Sequence, residues 1–248
     1  MLKEERQQKI LDKLYAGGQV YVDLLSRQFG TSNATIRRDL SELEEQGIVR
    51  RVYGGAVPCK KIPFTFDERV DRAKDEKFLV AKKAVELVRP KSLIAVDGGT
   101  TNMLFASLLP KSIELRAVTN SFITAEELRK RPNIEVIFLG GTYNKASQVT
   151  TGETTCREIS EFYFDQCFLG AYAADFEIGI TVPRPYEDEA AVKQAFVAHS
   201  AEVNVMCACS KLGQRANYVV CSIEDADRII CDHPVAKKIR EAYGGRIV

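Results

Sequence analysis

Arg37 and Arg38 stand side by side in the stretch T-S-N-A-T-I-R-R-D-L-S-E-L that runs from Thr31 to Leu43. Two adjacent guanidinium groups, each a fork of donors with no acceptor, suit the acceptor edge of a guanine or a phosphate oxygen. Ile36, Leu40 and Leu43 recur at helical spacing, which predicts a helix with that stripe turned inward. At about 100° per residue, Ala34, Arg38 and Ser41 then lie on the opposite side, with Thr35 and Arg37 on its flanks. Ser32 is placed to cap the helix, its hydroxyl accepting from an orphan backbone N–H downstream. Ser32, Asn33, Ala34 and Thr35 thus make a small, polar leading end. Short residues there let the backbone approach base edges in a DNA major groove. An ordinary amphipathic helix with a solvated Arg-Arg face fits the same residues.

A second constellation offers a different chemistry. Asp97-Gly98-Gly99-Thr100-Thr101 follows the apolar run Leu93–Val96 and opens a helix. The glycines admit close backbone approach, the threonine hydroxyls donate, and a helix N-terminus presents free N–H groups, which together favour an anion such as phosphate. The spacing is neither G-x-x-x-x-G-K-[ST] nor G-x-G-x-x-G, so no nucleoside triphosphate, dinucleotide or other cofactor is indicated. Thr119-Asn120-Ser121 and Leu139-Gly140-Gly141-Thr142 end two further strands in the same way. Glycines and threonines also serve plain turns. Three such loops at the carboxyl ends of neighbouring strands nevertheless converge on the usual ligand crevice of an open α/β sheet. Lys193, after the acidic helix start Glu187-Asp188-Glu189, and Lys211, after the apolar run Val203–Cys209, can each reach a phosphate as a mobile point charge.

The elements that must position these groups fall into two sets. Ile10, Leu11 and Leu14 share one face of a first helix broken at Gly17-Gly18, and Val20–Val22 is β-prone. Leu24, Leu25 and Phe29 mark a second helix stopped by Gly30, so the Arg37 helix becomes the second arm of a helix-turn-helix. After Gln46-Gly47, the run from Ile48 to Val57 reads as two short strands around a glycine turn, a wing. There Arg50, Arg51 and Tyr53 could touch phosphate or minor groove; solvated strand-edge charges are the alternative. The head is expected over residues 1–57. Pro58, Lys60, Lys61 and Pro63 favour an extended linker over residues 58–75, with Phe64 and Phe66 as anchors. From residue 76 to 248 strands and helices alternate, which predicts an open, largely parallel α/β sheet. Its elements include a helix with a Phe78, Ala81, Val85, Val88 stripe and another at Thr124–Lys130. Its strands are expected at Leu93–Val96, Ile113–Val118, Ile134–Leu139, Cys167–Ala171, Val203–Cys209 and Arg228–Cys231.

Composition bounds the rest. The chain has 248 residues, 45% hydrophobic and 28% charged, with a net charge of +1, so DNA binding must rest on a local surface. No apolar run approaches the roughly 18 residues of a membrane span, and Met1–Ile10 is too charged for a signal peptide. Seven scattered cysteines, several inside apolar runs, read as reduced thiols of a cytoplasmic protein. Cys207-x-Cys209 has the wrong spacing for a zinc knuckle, and no metal centre is expected.

T-I-R-R-D-L followed by R-R-V-Y-G-G-A at Arg50–Ala56 resembles the DNA-binding domain of the DeoR family of bacterial transcriptional regulators. The remainder is similar to that family's sensor domain. D-G-G-T-T, T-N-S, G-G-T, G-E-T at Gly152, the run Phe168–Ala171 through Asp175, Gly179-Ile180-Thr181 and Ser210-Lys211 recur in its order. The resemblance implies a winged helix-turn-helix followed by a domain with the ribose-5-phosphate isomerase fold that binds a phosphorylated sugar. It implies Thr100, Thr101, Thr119, Asn120, Lys193 and Lys211 as phosphate or hydroxyl contacts, with Asp97 and Asp175 as polar partners. The chain departs from the family at Thr31, where valine is frequent. It departs again at Ala208, where the family commonly carries an acidic residue.

Two functions follow. One is a transcriptional repressor of a carbohydrate operon, binding double-stranded operator DNA and responding to a sugar or polyol phosphate. A single head makes few base contacts, so paired half-sites read by a homodimer or larger assembly are expected. The other is a sugar-phosphate isomerase tethered to a DNA-binding module, with Glu189 near Lys193 as its base. The acidic G-A-D-E run of the isomerases is replaced here by Gly170-Ala171-Tyr172-Ala173-Ala174-Asp175, which favours the regulator.

Overall fold

The computed structural model describes residues 3–17, 19–45, 49–58, 65–184 and 186–248. The chain divides into two units, residues 1–62 and 63–248. Expectations for Gly18, Gln46-Gly47-Ile48, Lys60, Lys61, Pro63 and Phe64 lie outside the described residues, as does the side chain of Leu14.

In the first unit α1 (Lys3–Gly17), α2 (Val22–Phe29) and α3 (Asn33–Glu45) surround a small core. Ile10, Val20, Val22, Leu25, Ile36, Leu40, Leu43, Val49 and Ala56 form it. The stripe read from sequence in α3 is the buried one. The α2 stripe is corrected: Leu24 is 59% exposed, and Val22, Leu25 and Ser26 face inward instead. Gly30 ends α2 in the left-handed region (φ 61°), its N–H bonded to Ser26 O, and so turns the chain into α3. Strands β1 (Val20–Tyr21), β2 (Val49–Val52) and β3 (Gly55–Pro58) pair antiparallel in the order β1-β3-β2, which is the wing. A Cβ on Gly55 would lie 2.0 Å from Val20 O, so only glycine lets β1 and β3 close.

The second unit begins inside the stretch read as linker. Thr65 caps α4 (Phe66–Val70) through a capping box with Glu68, and Phe66 is buried. Helix α5 (Lys74–Glu86) follows at once and packs Val80, Ala81 and Ala84 inward together with Lys77. Phe78, expected on that stripe, is 45% exposed. The other three residues of that stripe, Ala81, Val85 and Val88, pack on the core as expected.

Six strands make the main sheet: β4 (Leu93–Val96), β5 (Leu115–Thr119), β6 (Ile134–Phe138), β9 (Gln166–Gly170), β12 (Val203–Met206) and β14 (Arg228–Ile230). Their order is β14-β12-β9-β4-β5-β6, and every pair is parallel. Helices α5, α6 (Thr100–Leu108) and α7 (Phe122–Leu128) pack on it through a core that includes Val80, Ile94, Phe105, Leu128 and Phe168. Chain order runs outward from β4 through β5 to β6 and then restarts at β9 on the other side. The switch point therefore lies between β4 and β9, whose carboxyl ends carry Asp97 and Gly170.

Around that edge sit elements the hydrophobic pattern did not disclose. A hairpin of β7 (Thr142–Asn144) and β8 (Val149–Thr151) leads into α8 (Glu153–Ser160). Strands β10 (Ala173–Asp175), β11 (Gly179–Val182) and β13 (Tyr218–Cys221) form a separate antiparallel sheet. Helix α9 (Glu187–Ala198) packs against β11 and β13. The expected strand Val203–Cys209 stops at Met206, and Cys209–Lys211 is a single 3-10 turn. A short α10 (Lys237–Ala242) closes the chain. No described helix is long and apolar enough to cross a membrane.

Candidate functional site

In the first unit α3 presents the arginines outward. Ser32 caps it as expected, its Oγ accepting from Thr35 N at 3.1 Å. Arg37 and Arg38 are exposed, and among the described residues neither guanidinium is held by a hydrogen bond or ion pair. Ala34 is exposed beside them. Asn33 Nδ2 donates to Asp23 Oδ1 at 2.7 Å, tying the start of α3 to α2. In the wing, Arg50 is exposed and Tyr53 projects fully into solvent. Arg51 instead faces α3: its Nη1 donates to Ser41 Oγ at 3.1 Å, and its backbone N donates to Glu44 Oε1 at 2.8 Å. Two residues read as DNA contacts, Ser41 and Arg51, thus also brace the wing against the arginine helix.

Asp39, from the same T-I-R-R-D-L run, was not singled out. It is 1% exposed and is gripped in two-point fashion by Arg6 of α1, with Nε–Oδ2 at 2.5 Å and Nη2–Oδ1 at 3.0 Å. A carboxylate taken out of water needs such a partner, and this one fixes the rotation of α3 relative to α1. The signal in the sequence was an acidic residue on the apolar side of the stripe.

In the second unit the carboxyl end of β9 organises a group of cations. Gly170 O accepts from Lys193 Nζ at 3.1 Å. Ala171 O accepts from Lys211 Nζ at 2.5 Å. The Tyr172 hydroxyl accepts from Arg69 Nη1, and the Arg69 guanidinium lies 5.0 Å from the centre of the Tyr172 ring and 5.9 Å from that of Tyr186. Arg69 O in turn accepts from Lys77 Nζ. Three consecutive residues therefore hold three cations, and a fourth follows through one carbonyl.

The carboxylates are fewer. Asp97 Oδ2 pairs with Lys193 and accepts from Gly170 N at 3.1 Å. Glu189 accepts from Ser147 Oγ, and burial pushes its carboxyl above the usual range while Lys193 opposes that rise. The crowding of positive charge is legible in the lysines. Burial, then the neighbouring Lys211 and Arg69, bring Lys77 down to about 8. Burial lowers Lys211 too, and Arg69 and Lys193 add to that effect. Crowding of this kind favours an added anion beside Lys77 and Lys211.

The predicted loops meet this cluster unevenly. Gly99 (φ 120°) starts α6, and Thr100 and Thr101 occupy its first turn next to Asp97. Gly98 O accepts from Asn102 Nδ2 at 3.0 Å, and a Cβ on Gly98 would lie 2.3 Å from Val149 Cγ1. The T-N-S turn is largely occupied internally. Thr119 Oγ1 accepts from Ser121 N at 3.1 Å, Ser121 Oγ caps α7, and Asn120 Nδ2 holds Thr150 O at 2.8 Å. Asn120 Oδ1 and Asn102 Oδ1 are buried without a hydrogen-bond partner. Gly140 and Gly141 serve the approach of α8: Gly140 N donates to Glu158 Oε2 at 2.6 Å, and a Cβ on Gly141 would lie 2.1 Å from Thr155 Oγ1. Gly152 (φ 95°) starts α8. Asp175 sits in the β10–β11 turn, paired with Arg215 at 2.8 Å. Burial pushes Asp175 up, yet Arg215 and the N–H groups of Glu177 and Ile178 hold it below its ordinary value.

Arg69 and Lys77 were missed by sequence reasoning. Arg69 lies in the stretch read as linker, and Lys77 is one residue off the apolar stripe. A lysine on the inward face of α5 was the only available signal.

A winged helix-turn-helix with an exposed arginine helix, joined in one chain to an α/β domain with a cluster of cations at its switch point, is the architecture of a DNA-binding regulator with a sensor domain. The comparisons with known proteins agree. The DeoR-like helix-turn-helix domain matches residues 6–61, and the DeoR C-terminal sensor domain matches residues 72–233. The HTH-type transcriptional regulator GlpR of Haloferax volcanii is 36% identical over 97% of this chain and 94% of its own. GolR of Listeria innocua is 32% identical over 98% and 96%. The glycerol-3-phosphate regulon repressor of Escherichia coli is 31% identical over 94% and 92%. A solved ribose 5-phosphate isomerase A from Methanocaldococcus jannaschii is similar over 56% of this chain and 54% of that one, with 20% identity and a TM-score of 0.42. This chain belongs to the DeoR family of transcriptional regulators. These full-length relatives are named as regulators, not as enzymes.

Proposed function

We infer that the protein represses a carbohydrate-utilisation operon and is released from its operator by a phosphorylated sugar or polyol. The observation that carries the effector class is the set of cations, Lys193, Lys211 and Arg69, held by Gly170, Ala171 and Tyr172, with Lys77 behind them. Ammonium and guanidinium groups gathered this closely, with Lys77 and Lys193 buried, suit a phosphate dianion. Thr100 and Thr101 at the α6 N-terminus add donors on the β4 side, and the Asp97–Lys193 pair is suited to a sugar hydroxyl. One relative is named for a glycerol-3-phosphate regulon, which supports a small phosphorylated polyol or sugar as the class.

The head, residues 1–57, reads the major groove with Arg37, Arg38 and the polar start of α3, and the wing adds Arg50 and Tyr53 on phosphate. Few base contacts per head favour a homodimer or larger assembly on paired half-sites. Effector acts by binding one domain arrangement better than the other, which shifts the population competent for DNA. A thermal-shift screen against phosphorylated sugars and polyols tests the pocket, since a ligand of the folded state raises its apparent stability. A hit should also release a labelled operator fragment in a mobility-shift assay. Turnover of the same compounds at ordinary enzymatic rates would overturn the regulatory reading.

A further inference from the structure

We propose that Cys209, Asp232 and His233 form a binding site for a borderline-soft divalent transition metal of the zinc type. Cys209 follows β12 and Asp232-His233 follows β14, and these strands are parallel neighbours, so the two segments emerge together at the carboxyl edge of the sheet. One ligand atom from each of the three residues lies within 4.8 Å of the other two. Backbone contacts hold the segments in place: Cys209 N donates to Asp232 Oδ1 at 2.7 Å, and the Cys209 thiol donates to His233 O at 3.3 Å.

The second observation is the state of Asp232. Its side chain is wholly shielded from solvent, and among the described residues its Oδ2 has no hydrogen-bond donor, only the ion-pair contact with His233. That oxygen faces His233 Nδ1 at 2.6 Å, off the line of a hydrogen bond. A contact too poorly aligned for a hydrogen bond compensates a buried carboxylate oxygen weakly, and a cation bound by both groups once the ring has turned would satisfy it. Two donors on one tetrahedral zinc ion lie roughly 3.3 Å apart, given bond lengths near 2.0–2.2 Å. His233 is exposed, so its ring can turn outward by the needed amount and leave an entry path.

The donor set selects the metal. Thiolate and imidazole favour zinc-like ions over calcium or magnesium, which take oxygen ligands. Binding displaces the thiol proton of Cys209 to solvent, and the resulting thiolate and the Asp232 carboxylate together balance the dication. Three protein ligands leave the fourth position of the tetrahedron open.

The test uses the untagged full chain, freed of metal with a chelator and dialysed, then titrated with zinc by calorimetry and with cobalt by absorption. The expected result is one equivalent bound with proton release, and a thiolate-to-cobalt charge-transfer band. Cys209→Ser should abolish the band, and Cys209→Ser and His233→Ala should each weaken zinc by more than the roughly 10–100-fold that loss of an outer-shell partner costs. Cys156→Ser, at a half-buried thiol on α8, should leave both readouts unchanged. Substoichiometric uptake, a band that survives Cys209→Ser, or one lost with Cys156→Ser would overturn the proposal. If circular dichroism shows that Cys209→Ser disturbs the fold, the exposed His233→Ala variant decides.

Discussion

The two units hold their cations in opposite ways. In the head, Arg37 and Arg38 are exposed, and among the described residues no hydrogen bond or salt bridge holds either guanidinium. In the sensor unit, Lys77 and Lys193 are 7% and 3% exposed, and each cation of the cluster is held by a carbonyl, a hydroxyl or a carboxylate. A DNA duplex is a long polyanion that brings its own shape, so free side chains can adjust to it, and their contribution is screened by salt. A small phosphate has no such extent, and its site must be assembled beforehand, at the cost of crowding like charges. Exposure thus separates a surface suited to reading a duplex from a cluster suited to selecting a small anion.

The largest effect is expected where the head itself depends on a buried pair. Arg6→Ala removes the two-point partner of Asp39, and breaking such a buried pair costs about 3–5 kcal/mol. Operator binding should fail, with an early melting transition followed by circular dichroism. An unchanged melting curve would show that the Asp39 carboxylate does not position α3.

The next break falls in the pocket. Lys77→Met and Lys211→Met should each weaken effector binding by about 10–150-fold, the worth of a charge-assisted hydrogen bond of roughly 1.5–3 kcal/mol. Operator affinity without effector should stay near normal. Calorimetry and mobility shift together check this, and a parallel loss of both functions would erase the distinction between the units.

Arg38→Ala should cost about 1–3 kcal/mol of operator affinity and relax sequence preference, whereas losing Arg50 should weaken binding evenly and shallow the salt dependence. Titrations at several salt concentrations separate the two. Effector binding should respond far less to salt, since its charges are buried.

The smallest effect sharpens the contrast through pH. Lys77, brought down to about 8 by burial and by Lys211 and Arg69, must carry its proton to hold a phosphate dianion. Effector affinity should fall by about tenfold between pH 7 and 9. Stability without effector should move the other way. Between about 8 and the ordinary lysine value near 10.4 the unfolded chain binds more protons, so the folded state gains as pH rises. Lys77→Met should flatten both curves.

Much of this was legible before any coordinates. Residues whose role depends on near neighbours declared themselves: the Ile36, Leu40, Leu43 stripe, the Ser32 cap, and the Gly99-Thr100 helix start all follow from periods and caps spanning a few residues. The same local logic found loops at strand ends. It did not distinguish those loops occupied by their own fold, such as Thr119 and Ser121, from those that meet the cation cluster. The hairpin and the antiparallel sheet were hidden because strands such as T-Y-N, V-T-T and A-A-D carry polar residues and lack the apolar run that disclosed the comparably short β4 and β12.

What the sequence by itself determined was a winged helix with its arginines outward and a parallel α/β sheet with anion-prone turns, because amphipathic period and turn chemistry act between residues close in the chain. Tertiary structure alone decided which cations gather in one cluster: Arg69 reaches Tyr172 across 103 positions, and Lys193 reaches Asp97 across 96. It also joined Cys209 to Asp232, 23 positions away, where sequence spacing offered no metal knuckle. The physical reason is the same in each case. Charge balance and ligand geometry depend on distance in space, and parallel strands bring together residues that the chain keeps far apart.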